Sequence, residues 1–133
     1  MEKYLLDAFP VLGWLQEEPG HEITDGLLAQ AEEKQISLWM NMINLGEVFY
    51  RICRVSNLKK AEETIAQIRL LPISVLSASD TLVMEAARIK GKYPISYADA
   101  FASATALQLG ATLVTGDPEY RSLSKLLKIL WIN

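Results

Sequence analysis

The sequence has one cysteine, Cys53, and one histidine, His21. A lone cysteine excludes an internal disulfide. A lone histidine excludes a nuclease that works through a histidine acid–base pair, and the two counts together exclude multi-histidine and Cys/His zinc sites. No apolar run approaches membrane-spanning length. Positive charge is in short supply: 13 Lys and Arg stand against 16 Asp and Glu, a net charge of −3. The chain as a whole therefore does not attract nucleic acid, and any such binding needs a local basic patch or a bound metal. Repeats, low-complexity tracts and linkers are absent. The opening Met-Glu-Lys-Tyr-Leu-Leu-Asp is broken by charge too early for a secretory segment. With the cysteine count, this predicts a cytoplasmic protein with no membrane association.

What is present is ordinary for one globular domain, residues 1–133, with half the residues apolar and 22% charged. The most informative stretch runs from Pro94 to Asp117. Ser96 can cap a helix that carries Asp99 in its first turn. Small residues from Ala98 to Ala106 let that helix lie close to a sheet. Gly110 supplies the left-handed position that ends it. Ala111 to Thr115 then reads as a buried strand, with Gly116-Asp117 just past its carboxyl end.

The remaining chain repeats this alternation. Strands are predicted at Lys3–Leu6, Ile36–Met40, Ile73–Leu76 and Lys128–Ile132. Helices are predicted from Phe9-Pro10 to Glu17, over His21–Lys34, and from an Asn44 cap to Val55. Further helices follow over Lys59–Leu70, from Ser79 or Asp80 to Lys90 with Gly91 as the stop, and over Pro118–Lys125. Helices alternating with strands imply an α/β fold with a mainly parallel central sheet.

Four acids stand where such a sheet places ligands. Asp7 and Asp117 each follow a strand directly, while Glu47 and Asp99 each open a helix near a strand's carboxyl end. Four converging carboxylates repel one another unless a cation sits between them. Hard oxygen ligands suit Mg²⁺ or Mn²⁺, and such ions serve phosphodiester hydrolysis. Each acid also has a structural explanation of its own. Asn44-x-x-Glu47 and Ser96-x-x-Asp99 both read as capping boxes, and aspartate after a strand is a common turn residue.

The motifs Leu-Leu-Asp7, Asn44-Leu-Gly-Glu47-Val-Phe-Tyr, Ser96-Tyr-Ala-Asp99-Ala-Phe-Ala-Ser-Ala-Thr-Ala and Thr115-Gly-Asp117-Pro-Glu-Tyr span most of the chain. In order and spacing they resemble PIN-domain ribonucleases, and most of all the toxin components of VapBC toxin–antitoxin pairs. The resemblance implies a Rossmann-like sheet of about five strands. It also implies Mg²⁺- or Mn²⁺-dependent RNA cleavage, a homodimer, and inhibition by a small cognate antitoxin. It assigns Asp7, Glu47, Asp99 and Asp117 to a catalytic metal site, with Thr115 as a supporting hydroxyl. One departure is Ala8, where the family usually has Thr or Ser.

Arg51 and Arg54 share a helical face with Glu47. They read equally as a basic track for an RNA backbone and as an exposed Glu47–Arg51 pair. Lys59, Lys60, Lys90, Lys92 and Arg121 are weaker candidates for such a patch. Glu119 reads as a surface acid at a helix start, with a second ion held through water as the other possibility. Trp14, Trp39 and Trp131 fall on apolar faces and read as core or dimer contacts. A receiver domain would need a phosphoacceptor aspartate directly after Ile73–Leu76, and a haloacid-dehalogenase-type phosphatase would need an acid where Phe9 stands. The surviving alternative to a metal-dependent endoribonuclease is a non-catalytic PIN-like module that binds RNA or protein, and Ala8 is its support.

Overall fold

Leu5 and Leu6 are neighbours in the chain, both fully buried, yet they belong to different apolar clusters. Successive strand residues point to opposite faces, so this strand must be covered on both sides. Leu113 and Val114 repeat the arrangement. Strands buried on both faces belong to parallel sheets clad in helices, and that is the architecture of the computed structural model, which describes every residue from Met1 to Asn133.

Five strands form one sheet: β1 (Glu2–Leu6), β2 (Ile36–Asn41), β3 (Ile73–Leu76), β4 (Thr112–Thr115) and β5 (Ile129–Trp131). Their spatial order is β3-β2-β1-β4-β5, and every pairing is parallel. The helices are α1 (Ala8–Leu15), α2 (His21–Glu32), α3 (Met42–Val55), α4 (Leu58–Ile68), α5 (Asp80–Lys92) and α6 (Tyr97–Leu109). A 3-10 helix, Pro118–Leu123, joins β4 to the final strand. One core draws on Leu82, Phe101, Leu113 and Leu123. The other draws on Val11, Leu38, Leu45, Val48 and Ile68. No helix is long and apolar enough to cross a membrane.

α6 is buried at every position from Asp99 to Ala106. Only a helix of small residues can be surrounded so closely, and its two internal hydroxyls are satisfied locally. Ser103 donates to the Asp99 carbonyl and Thr105 to that of Phe101. The expected cap at Ser96 forms, its hydroxyl accepting from the Asp99 N–H, and Gly110 ends the helix at φ +65°.

Several expected ends shift by a residue or two, the expected Pro118–Lys125 helix is a 3-10 helix ending at Leu123, and two expected helix signals are displaced. Asn41, not Asn44, caps α3, with Oδ1 accepting from the Ile43 N–H at 2.7 Å. The strand runs straight into the helix with no loop, because Asn41 still pairs with Leu76 in the sheet. Asn44 lies inside the helix, wholly buried, and its Nδ2 donates to the Ala98 carbonyl. Gly91 does not end α5, which continues to Lys92. The stop is Tyr93, which precedes Pro94 and is therefore driven to an extended backbone, φ −122° and ψ 148°.

Asn41 also donates from Nδ2 to Thr105 Oγ1 at 3.0 Å, tying the α3 start to α6. Asn41→Ala is expected to cost about 2 kcal/mol, from the lost cap and the lost buried hydrogen bond. Asn44→Ala is expected to cost less, because Asn44 Oδ1 is already buried without a partner. Urea unfolding of the two variants side by side checks the order.

Candidate metal centre

The strand order reverses between β1 and β4, so a crevice opens at their carboxyl ends. Asp7 and Asp117 stand there, each as the cap of the helix that follows. Asp7 Oδ1 accepts from the Phe9 N–H at 3.0 Å, and Asp117 Oδ1 accepts from the Glu119 N–H at 2.9 Å. A side chain at Gly116 would meet the Phe9 ring, which would have to swing aside to admit it. Asp99 reaches the crevice from the first turn of α6. Glu47 reaches it from α3, in the second turn of that helix instead of the first, because the helix starts at Met42.

A cavity of about 590 Å³ is lined by all four acids together with Arg51 and Arg54. Asp7 is 2% exposed and Asp99 7%. Thr115 links the two strands: its hydroxyl donates to Asp7 Oδ2 at 3.0 Å and accepts from the Asp117 N–H at 3.1 Å. Both Asp7 oxygens are thus held by donors, without any hydroxyl from position 8. Glu47 pairs with Arg51 at 3.1 Å. The Arg54 guanidinium lies over the Tyr50 ring, 5.0 Å from its centre. Lys59, Lys60, Lys90, Lys92 and Arg121 do not line this cavity.

The acids do not all converge equally. Carboxylate oxygens of Asp99, Asp117 and Glu119 lie within 4.8 Å of one another. Asp7 and Glu47 share the cavity but stand outside this tight group. Glu119 opens the 3-10 helix as expected, yet its carboxylate turns inward and accepts from the Ser96 N–H. Nothing in the residue pattern distinguishes it from a solvated acid, because its orientation depends on where α6 begins. Tyr120 is a second residue that the pattern did not single out. Its buried hydroxyl donates to Asp99 Oδ1 at 3.0 Å.

Crowding shows in the acid strengths. Burial, reinforced by the charge of Asp99, pushes the Asp7 carboxyl well above its usual range, while the Thr115 and Tyr120 hydroxyls and the Phe9 N–H pull it back. Asp99 is pushed up to about 7, first by burial and then by Asp117 and Glu119, against the pull of the Tyr120 hydrogen bond. A site that resists its own full ionisation has the electrostatics of a cation site. The donor set fits a small hard ion. Oxygen donors alone, gathered within 4.8 Å of one another, would suit Mg²⁺ or Mn²⁺.

An all-parallel five-stranded α/β sheet with an acid-lined crevice at its switch point defines the class of protein. The family follows: a PIN domain model matches residues 4–126, and the chain belongs to that family. No curated protein matches the sequence. Among solved structures, VapBC2 from Rickettsia felis bound to a promoter DNA fragment has a chain 16% identical. That match covers 96% of this chain and 97% of the other, at a TM-score of 0.75. FitAcB from Neisseria gonorrhoeae is similar at 18% identity, 97% coverage of each chain and a TM-score of 0.73. VapC20 from Mycobacterium tuberculosis, a sarcin-ricin loop cleaving toxin, is 18% identical over 91% of this chain and 94% of its own, at a TM-score of 0.71. At these identities the likeness speaks to the fold.

Proposed function

We propose that this chain is a metal-dependent endoribonuclease, the toxin of a VapBC-type toxin–antitoxin pair. The observation that carries the reading is the gathering of Asp7, Glu47, Asp99 and Asp117 around one cavity at the switch between β1 and β4, with Arg51 and Arg54 on its wall. Asp7, Glu47, Asp99 and Asp117 would hold Mg²⁺ or Mn²⁺, with Glu119 beside them. Such an ion supplies an activated water and offsets the charge that builds up on the phosphate oxygens.

The protein's own groups divide the remaining work. Thr115 fixes the Asp7 carboxylate and, through the Asp117 N–H, the turn that carries the fourth acid. Asn44 braces α3 against the start of α6, and so sets Glu47 across from Asp99. Arg51 and Arg54 offer cationic contacts to the RNA backbone beside the acids. Attack of water on phosphorus leaves a 5′-phosphate and a 3′-hydroxyl, and the ribose 2′-OH is not needed as nucleophile.

The non-catalytic reading rested on Ala8. It weakens because the Phe9 N–H and the Thr115 hydroxyl already orient Asp7. The toxin assignment draws on the structural likeness to VapBC and FitAcB proteins. A small antitoxin as partner, a homodimer and a cytoplasmic location belong to the same proposal. The test is cleavage of total cellular RNA by purified protein. Fragments with 5′-phosphate ends should appear with Mn²⁺ and vanish with EDTA. Cleavage that persists in EDTA, or no cleavage with Mn²⁺, overturns the assignment.

A further inference from the structure

Tyr120 has no exposed surface and belongs to the same core as Leu5, Phe101, Leu113 and Leu123. Phenylalanine would fill that space without a polar atom to satisfy, whereas a buried hydroxyl needs a partner. The partner is the site itself. The hydroxyl donates to Asp99 Oδ1 at 3.0 Å, and the Asp7 carboxyl is near enough that it and the phenol shift each other's acidity. One group rising from the core thus bonds one of the two most buried acids and adjoins the other; they arrive from different elements, the end of β1 and the start of α6.

We propose that Tyr120 is a positioning residue for metal capture, its hydroxyl fixing the Asp99 carboxylate beside Asp7 so that the two acids face the cavity together. The inference rests on the metal-dependent reading of the site. The O–H engages Asp99 Oδ1, and the other Asp99 oxygen would be available to a bound ion. The ring is anchored by the core, so the hydroxyl cannot drift, and groups held in this way behind a ligand shell strengthen binding by orienting it.

Mn²⁺ titration of the whole chain, followed by the electron paramagnetic signal of the free ion, tests this. Tyr120→Phe is expected to weaken Mn²⁺ binding about tenfold. Its metal-free thermal midpoint should stay within a few degrees of wild type, and kcat on RNA should fall with KM unchanged, since the ring does not reach the substrate. Leu123→Ala, a packing loss in the same 3-10 helix, should lower the midpoint without changing Mn²⁺ affinity. Equal affinity in wild type and Tyr120→Phe overturns the role of Tyr120 and leaves the metal site standing. Equal weakening by Leu123→Ala also overturns it, because general loosening would then explain the loss. A wild-type protein that binds no Mn²⁺ at all overturns this inference together with the metal-dependent function.

Discussion

Asp99→Asn should reduce RNA cleavage at least about a hundredfold and at the same time stabilise the metal-free protein at pH 8. The two effects have one cause. The amide that replaces the carboxylate keeps the shape of the side chain and an oxygen to accept from Tyr120, but it carries no charge for a cation. At pH 8 the native carboxyl is ionised against burial and against Asp117 and Glu119, which hold its pKa at about 7. Removing that cost returns on the order of a few kcal/mol. RNA digestion and urea unfolding on the same preparation check both sides. Cleavage within about threefold of wild type, far short of the loss expected for a metal ligand, would sink the assignment of Asp99.

Metal-free protein should unfold at a lower temperature at pH 8 than at pH 5, and saturating Mn²⁺ should cancel or reverse the trend. The folded pKa of Asp99, about 7, lies above the ordinary value of 3.8, so between these values the native state binds more protons than the unfolded chain. Stability therefore falls as pH rises through this window and levels off above it. Asp7 is raised as well and adds in the same direction. Cation binding favours the ionised acids, so its stabilisation grows with pH. At a hundred times the dissociation constant it contributes about 2.7 kcal/mol. Differential scanning calorimetry at pH 5, 6.5 and 8, with EDTA or Mn²⁺, reads the effect. A flat metal-free profile would contradict the burial of the two acids.

The stretch from Ser96 to Asp117 was legible because each of its signals is local. A serine cap, a run of small residues, a glycine at the left-handed position and a short apolar strand each act within a few residues, and all of them form. The α/β alternation was legible for the same reason, down to the bounds of β3. Asn44 misled because it and Asn41 stand close together and both suit a cap. The choice between them was made by sheet pairing at Leu76, a contact with no local trace. Gly91 misled because glycine is only a permissive stop, whereas Pro94 actively constrains the backbone of the residue before it. Glu119 and Tyr120 were the least visible. Their meaning lies in what faces them across the crevice, and a residue's own neighbours in the chain do not reveal it.

The hydrogen bond from Thr115 to Asp7 joins residues 108 positions apart. Nearly the whole polypeptide must emerge before Asp7 meets the strand that carries Thr115. A chain partway through synthesis therefore lacks a complete acid site, which is assembled only when β4 slots in beside β1.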